Sequence, residues 1–325
     1  MTALWLATLL VVFLLLAGVC GPRLLRRAAP ALAQVPRLAI TLLLGSAALW
    51  LLAALAVGPV LAWGSNGPSL LGGSAGAVCR RCLASADPFE GAGALSEVPT
   101  AGPLAVSAVI LAIVLTGLVS TLVGGARATR RAMAQLAPGL RARDFAGYRV
   151  HELDQAGLQA FAMPAGWGGI IVSTGCLHTL SDQELSAVLA HERAHLRQRH
   201  HLWQALMQGM TRFLGGVPLL RACRDALPHY LEIAADDAAR RSAGTPALAS
   251  ALLTLGDKPV TPALAGSQVN ALHAAGTDRI RHLVGAPQPG GTGPAVVAAV
   301  MMLFLGAAVL LIHLPYLLAL ARGCL

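Results

Sequence analysis

Ser181-Asp182-Gln183-Glu184-Leu185-Ser186-Ala187-Val188-Leu189-Ala190-His191-Glu192-Arg193-Ala194-His195-Leu196-Arg197-Gln198-Arg199-His200 reads as a helix with an HExxH pentapeptide inside it. Ser181 and Glu184 stand at capping-box spacing, so the helix is expected to start there. On a helix, His191 and His195 are four residues apart and share one face, close enough for both imidazoles to hold one metal ion. Glu192, beside the first of them, is placed to act as general base on a water at that metal. HExxH alone is a modest signal, and a chance occurrence on a solvated helix face is the alternative.

Three features around the motif bear on that choice. Catalytic zinc takes three protein ligands and keeps one position open. Tyr230-Leu231-Glu232-Ile233-Ala234-Ala235-Asp236-Asp237-Ala238-Ala239 is again helix-compatible, with Glu232 and Asp236 on one face among apolar neighbours. Glu232 can be the third ligand. Asp236 can accept a hydrogen bond from a ligand imidazole and fix its tautomer. His201 has the spacing of the last histidine in HExxHxxGxxH, but Gln198 replaces the helix-breaking glycine. With one helix continuing over 182–208, His201 would stand about 9 Å further along the axis and off the metal face. His200 and His201 are therefore expected at a helix end or surface, as non-ligands. Ahead of the motif, Gln159-Ala160-Phe161-Ala162-Met163-Pro164, a Gly-rich turn and Ile170-Ile171-Val172-Ser173 form a hairpin signal. An edge strand there would hold an extended peptide by main-chain hydrogen bonds; a purely structural hairpin is the alternative.

The order of these segments, "QAFAMP…GIIVSTGCLHTLSDQELSAVLAHERAHLRQRHH…EIAADDAA…RIRHL", resembles the integral-membrane zinc metallopeptidases of the BlaR/MecR type. It is more distantly similar to HtpX and the CAAX-processing membrane proteases. The motifs cover roughly residues 140–285. The resemblance implies a zincin-like α+β domain in which His191, His195 and Glu232 hold Zn2+, Glu192 is the catalytic base and Asp236 supports a ligand. It also implies that Gln159 and Phe161 contact substrate, with Gln159 standing where the family usually has Asn. Such relatives cut a cytoplasmic winged-helix repressor. The best-known of them carry a C-terminal beta-lactam sensor, whose chemistry needs a serine three residues before a lysine. The only lysine here, Lys258, has Leu255 at that position, so covalent beta-lactam sensing by this chain is excluded.

Composition sets the architecture around this domain. Of 325 residues, 56% are hydrophobic and 12% charged, too apolar for an ordinary soluble domain. The net charge of +9 is almost all arginine. Those arginines cluster beside apolar runs, not in a separate basic domain, which argues against direct nucleic-acid binding. Apolar runs at about 3–19, 38–63, 103–123 and 294–320 are long enough to cross a bilayer. No basic residues precede the first, so an uncleaved span is preferred to a signal peptide. Arg23, Arg26, Arg27 and Arg37 follow span one, and Arg127, Arg130, Arg131, Arg141 and Arg143 follow span three. The positive-inside rule then puts the N-terminus and the short C-terminus outside and the metal helix in the cytoplasm.

The expected fold is mostly α: a membrane region over 1–143, a cytoplasmic metalloprotease domain over 144–290, and a fourth span. Helices are expected over 182–208, 219–243 and 246–256, with a short one near 277–284. Cys79-Arg80-Arg81-Cys82, in the loop between spans two and three, fits a small disulfide or two unrelated cysteines. His178, His229, His273 and His282, with Tyr230, Arg279 and Arg281, are further polar candidates, and ordinary surface or core roles compete for each. The function expected is zinc-dependent cleavage of a protein substrate. A housekeeping membrane-protein protease and a catalytically silent scaffold are the competing possibilities.

Overall fold

A computed structural model describes residues 2–65, 99, 101–164, 166, 169–256 and 293–321. Cys79, Cys82, the helix expected near 277–284, and His273, Arg279, Arg281 and His282 lie outside the described residues. Four helices are long and apolar enough to cross a membrane: α1 (Thr2–Gln34), α2 (Pro36–Trp63), α3 (Ala101–Leu136) and, at the C-terminal side, α9 (Gly293–Ala321). Two of them outrun the apolar runs that mark them. The segment carrying Arg23, Arg26 and Arg27, expected as a loop, continues α1, and a break at Val35 alone separates α1 from α2. Arg127, Arg130 and Arg131 likewise ride on α3. The apolar length says where the bilayer ends; it does not stop the helix, because arginine and alanine are good helix formers in water too.

The spans are held by close packing and a few polar contacts, as expected where water offers no alternative partner. Trp50 Nε1 donates to the Leu14 carbonyl at 3.0 Å, and Ser107 Oγ to that of Leu55 at 2.7 Å. The Tyr316 hydroxyl donates to the Pro59 carbonyl at 2.8 Å, and its ring stacks on Trp63 with centroids 5.4 Å apart.

After α3 the chain makes a four-stranded mixed sheet from β1 (Leu140–Phe145), β2 (Tyr148–Leu153), β3 (Ala160–Met163) and β4 (Gly169–Ser173), in the order β1-β2-β4-β3. The β3–β4 hairpin is the one anticipated, in the register Phe161↔Ile171 and Ala162↔Ile170. The β1–β2 hairpin was not anticipated. Its two-residue turn has Ala146 at φ 47° and Gly147 at φ 78°, the double positive φ of a type I′ turn. Alanine disguises that signal. Alternation sorts the sheet's side chains. Val150, Ala160, Ile170 and Val172 face one core with Leu185, Val188 and Leu189; Leu153, Phe161, Met163 and Ile171 face the arginine-bearing end of α3, at Ala132, Met133 and Leu136.

The remaining helices are α4 (Thr174–Thr179), α5 (Asp182–Arg197), α6 (His200–Thr211), α7 (Pro218–Ala243) and α8 (Thr245–Gly256). The capping box is present: Ser181 Oγ accepts from the Glu184 amide, and the Glu184 carboxylate accepts from the Ser181 amide at 2.8 Å. Glu184 is tied across to Ser250 of α8 as well. The single helix expected over 182–208 is instead two. Gln198 and Arg199 interrupt it, with Arg199 left-handed at φ 53°, ψ 40°. The break is stabilised from both sides: the Gln198 amide donates to the Ala194 carbonyl at 2.9 Å, and Trp203 Nε1 donates to the Gln198 carbonyl at 3.1 Å.

α6 and α7 do not stand apart from the spans. Gly209 of α6 meets Gly117 of α3 so closely that a Cβ on Gly117 would collide with the Gly209 carbonyl, and one on Gly209 would come within 2.9 Å of the Leu118 backbone. Leu219, Leu220, Cys223 and Leu227 of α7 share one core with Leu32, Ala39, Ile40 and Leu43 of α1 and α2. Replacing Gly117 by leucine is expected to prise α6 from α3 and destabilise the chain by about 1–3 kcal/mol, the usual range for overpacking. A lowered unfolding midpoint in detergent checks this, and an unchanged midpoint contradicts the contact.

Candidate metal centre

The site is where α5 crosses α7. His191 and Glu192 are buried on α5, and Glu232 and Asp236 are buried on α7. The four-residue spacings do what helical geometry requires: His191 and His195 project together from α5, and Glu232 and Asp236 project together from α7 to meet them. His191 Nε2 and His195 Nε2 are 3.0 Å apart. Glu232 Oε2 is 3.4 Å from His191 Nε2, and Glu232 Oε1 is 3.4 Å from His195 Nε2.

Those distances test whether the residues suit zinc. Ligand atoms about 2.05 Å from a tetrahedral zinc lie about 3.3 Å from one another, and the three separations here are 3.0, 3.4 and 3.4 Å. The donor set, two imidazole nitrogens and one carboxylate, is that of a catalytic zinc site with a position left open. His191, His195 and Glu232 are also the one group of metal-capable side chains that converges among the described residues. His191, His195 and Glu232 therefore fit the metal.

The surrounding hydrogen bonds give each ring a tautomer. Asp236 Oδ1 is 2.9 Å from His191 Nδ1, so His191 keeps its proton on Nδ1 and turns the Nε2 lone pair toward the centre. His195 is supported differently. Its Nδ1 is 2.9 Å from Nδ1 of His200, and His200 Nε2 is 3.4 Å from Gln198 Oε1. Gln198 Nε2 donates in turn to the Ala234 carbonyl of α7 at 3.4 Å. One polarity satisfies the whole chain: His195 donates to His200, His200 to Gln198, and Gln198 to α7. That polarity turns the His195 Nε2 lone pair toward the centre. It requires a neutral His200, and burial together with the neighbouring His195 pushes the His200 pKa down to about 3.

Electrostatics at the centre run the other way. Burial lowers the His191 pKa, but the carboxylates of Asp236 and Glu232 more than reverse this and push it up to about 10. Two carboxylates held this close in a buried place demand positive charge, which a divalent cation supplies as a proton does.

His200 stands at a helix end, as the first residue of α6, and is not among the converging donors, but it is not on the surface: it is 3% exposed, because the left-handed Arg199 swings it back under His195. An unbroken helix would have carried it past the site. Nothing in Gln198-Arg199 announces that break. His201 borders the neighbouring cavity and is not among the converging donors.

A cavity of about 780 Å³ opens beside the centre. Glu192, His195 and Glu232 border it, with Phe161, Ala162, Met163 and Pro164 on one side and α3 from Ser120 to Thr129 on another. β3 is the edge of the sheet and packs on α5. Phe161 is placed at the cavity but is mostly buried with Leu153, Met163 and Ile171. Gln159 is not among the residues bordering the cavity. Its main chain closes the base of the hairpin, donating to Ser173 Oγ at 3.0 Å and accepting from the Ser173 amide at 2.8 Å. His178, His229 and Tyr230 also stand away from the cavity lining.

Asp236→Asn and His200→Ala are each expected to lower zinc affinity about 10- to 100-fold, as loss of a ligand's supporting partner commonly does. Competition with a chelating dye measures this; wild-type affinity in His200→Ala would mean that His200 does not orient His195.

No curated protein matches the chain. Residues 126–226 match the family model of Peptidase family M48. The matched segment runs from the end of α3 through the sheet, the HExxH helix and α6 into α7, and it stops short of Glu232 and Asp236. The chain is thus similar to a metallopeptidase family over the part that carries His191, Glu192 and His195, and the fold brings the third candidate ligand to them from outside that part.

Proposed function

We propose that this chain is a membrane-embedded zinc metalloendopeptidase. The observation that carries this is the convergence of His191, His195 and Glu232 at the spacing of tetrahedral ligands, beside Glu192 and an open cavity. Zinc held by these three supplies the Lewis acidity that makes water a nucleophile near neutral pH and polarises a carbonyl. The chain's own residues do the rest. Glu192 takes the proton of the attacking water and delivers it to the departing amine. Asp236 and His200 hold the two imidazoles in the ligating tautomer. The edge of β3, which borders the cavity, offers main-chain groups to an extended peptide laid along the cavity, with Phe161 fixing that strand in its place.

The arginines that follow α1's and α3's apolar runs favour a cytoplasmic metal centre, with both termini outside. The substrate is a protein. The resemblance to BlaR/MecR-type proteases favours a cytoplasmic winged-helix repressor cut in response to a signal. The cavity's wall on α3, from Ser120 to Thr129, favours a second possibility, an HtpX-like protease acting on polypeptide at the membrane surface.

Glu192→Ala is expected to retain zinc and lose about 100- to 10,000-fold in peptidase activity, the range typical of a missing general base. Full activity in that variant would remove Glu192 from the mechanism. A quantitative proteome comparison of wild type with Glu192→Ala in the host separates the substrates. Accumulation of one small DNA-binding protein marks a signalling protease, whereas accumulation of many membrane proteins marks quality control. No difference under any stress would favour a silent scaffold.

A further inference from the structure

We infer that α6 and the start of α7 form a re-entrant hairpin in the bilayer, with acyl chains as the partner of its outer face. The four apolar runs do not include this stretch, and sequence reading assigned it to a soluble domain.

The packing sets its depth. Gly209 touches Gly117, and Gly117 lies ten residues before Arg127 on α3. At the helical rise this is about 15 Å inside the level of the first arginine. Val217 and Leu219, past the turn, lie against Gly18 and Gly21 of α1, two to five residues before Arg23. α3 thus puts Gly209 inside its apolar run, and α1 puts Val217 beside Gly18 at the inner end of its own, both on the side that carries the metal centre. The chain's composition agrees. From Leu202 to Leu220 the single charged residue is Arg212.

The three faces of α6 match three surroundings. Met207, Gly209, Met210 and Thr211 are buried against the spans, and the Thr211 hydroxyl is satisfied by the Met207 carbonyl at 2.8 Å. His201, Gln204, Gln208 and Arg212 border the cavity, and the Arg212 guanidinium lies over the Phe213 ring, 5.6 Å from its centroid, so the one charge has a cavity and an aromatic face beside it. Leu202, Trp203, Leu206 and, just past the helix, Phe213 make up the third face and are 46%, 41%, 37% and 56% exposed, with Leu202 also at the rim of the cavity. Exposed α3 residues such as Leu115, at 50%, are comparable. A water-facing helix does not carry such a stripe without cause. Here it continues the surface that the spans already present to lipid. The turn between the helices is short and hydrogen-bonded, Leu214 amide to Thr211 carbonyl and Val217 amide to Leu214 carbonyl, each at 3.0 Å.

The test uses the full, unmodified chain in vesicles of phosphatidylcholine and phosphatidylglycerol, with a fraction of the phosphatidylcholine bearing a diazirine in its acyl chain. After photolysis, peptide mass spectrometry locates the lipid adducts. Adducts on the peptide holding Leu202, Leu206 and Phe213 are expected within about a factor of three of those on the peptide holding Leu115, because both face the same acyl chains. The peptide holding Arg193 should stay bare. Adducts confined to the four spans, with the α6 peptide as bare as the Arg193 peptide, would overturn the inference, since α6 would then be covered by water or by another chain. Adducts on none of these peptides would overturn it together with the membrane assignment of α3. Both outcomes are independent of peptidase activity.

Discussion

Everything at the centre of this molecule depends on the compensation of buried charge where α5 crosses α7. Two carboxylates and two imidazoles sit within a few ångströms of one another, and three of the four side chains are at most 5% exposed. With neutral imidazoles the cluster carries two negative charges in a place that water scarcely reaches. Such a group is stable only with positive charge among its members; breaking one pairing in a buried cluster typically costs about 3–5 kcal/mol. The pKa of His191, driven up to about 10 by the two acids, is the same demand expressed in protons. The site that would catalyse is thus also the fastening between two helices, and its affinity for a cation and the stability of the crossing are one quantity seen twice.

The fastening works only because other contacts aim the helices. α5 is fixed at its start by the Ser181–Glu184 capping box and by the link from Glu184 to Ser250. It is fixed at its end by the Gln198–Arg199 break, which Trp203 caps. The sheet supports one side of α5 and leaves β3 as an edge beside the cavity. α7 is seated at its start among α1 and α2. The candidate metal centre therefore sits between a sheet, whose edge borders the cavity, and a helix bundle, which offers anchorage. α3 touches both, through Gly117 at its middle to α6 and through Ala132, Met133 and Leu136 at its far end to the sheet. The cavity beside the centre is thus walled by one of the helices long and apolar enough to cross a membrane.

Much of this was legible in order along the chain. His191 and His195, Glu232 and Asp236 could be paired because a helix places residues four apart on one face, whatever the tertiary structure does. The four apolar runs could be read because bilayer thickness fixes their length, and the β3–β4 hairpin because its Gly-rich turn separates two β-rich runs. Each of these is a local rule, satisfied within about twenty residues. The β1–β2 hairpin escaped because Ala146 occupies a positive-φ position that alanine seldom takes.

By itself, then, the sequence determined the candidate donor set, the capping of the metal helix and the presence of apolar helices long enough to span. Tertiary structure alone decided that the α7 acids meet the α5 histidines, since nothing local specifies the crossing of helices more than thirty residues apart. It also decided the role of His200. A left-handed Arg199 is unfavourable in isolation, by about 1–2 kcal/mol for a residue with a Cβ, and it persists because Gln198, Trp203 and His195 hold the chain on either side of it. The seat of α6 against α3 was settled the same way: two glycines of ordinary appearance, Gly117 and Gly209, matter only because they face each other.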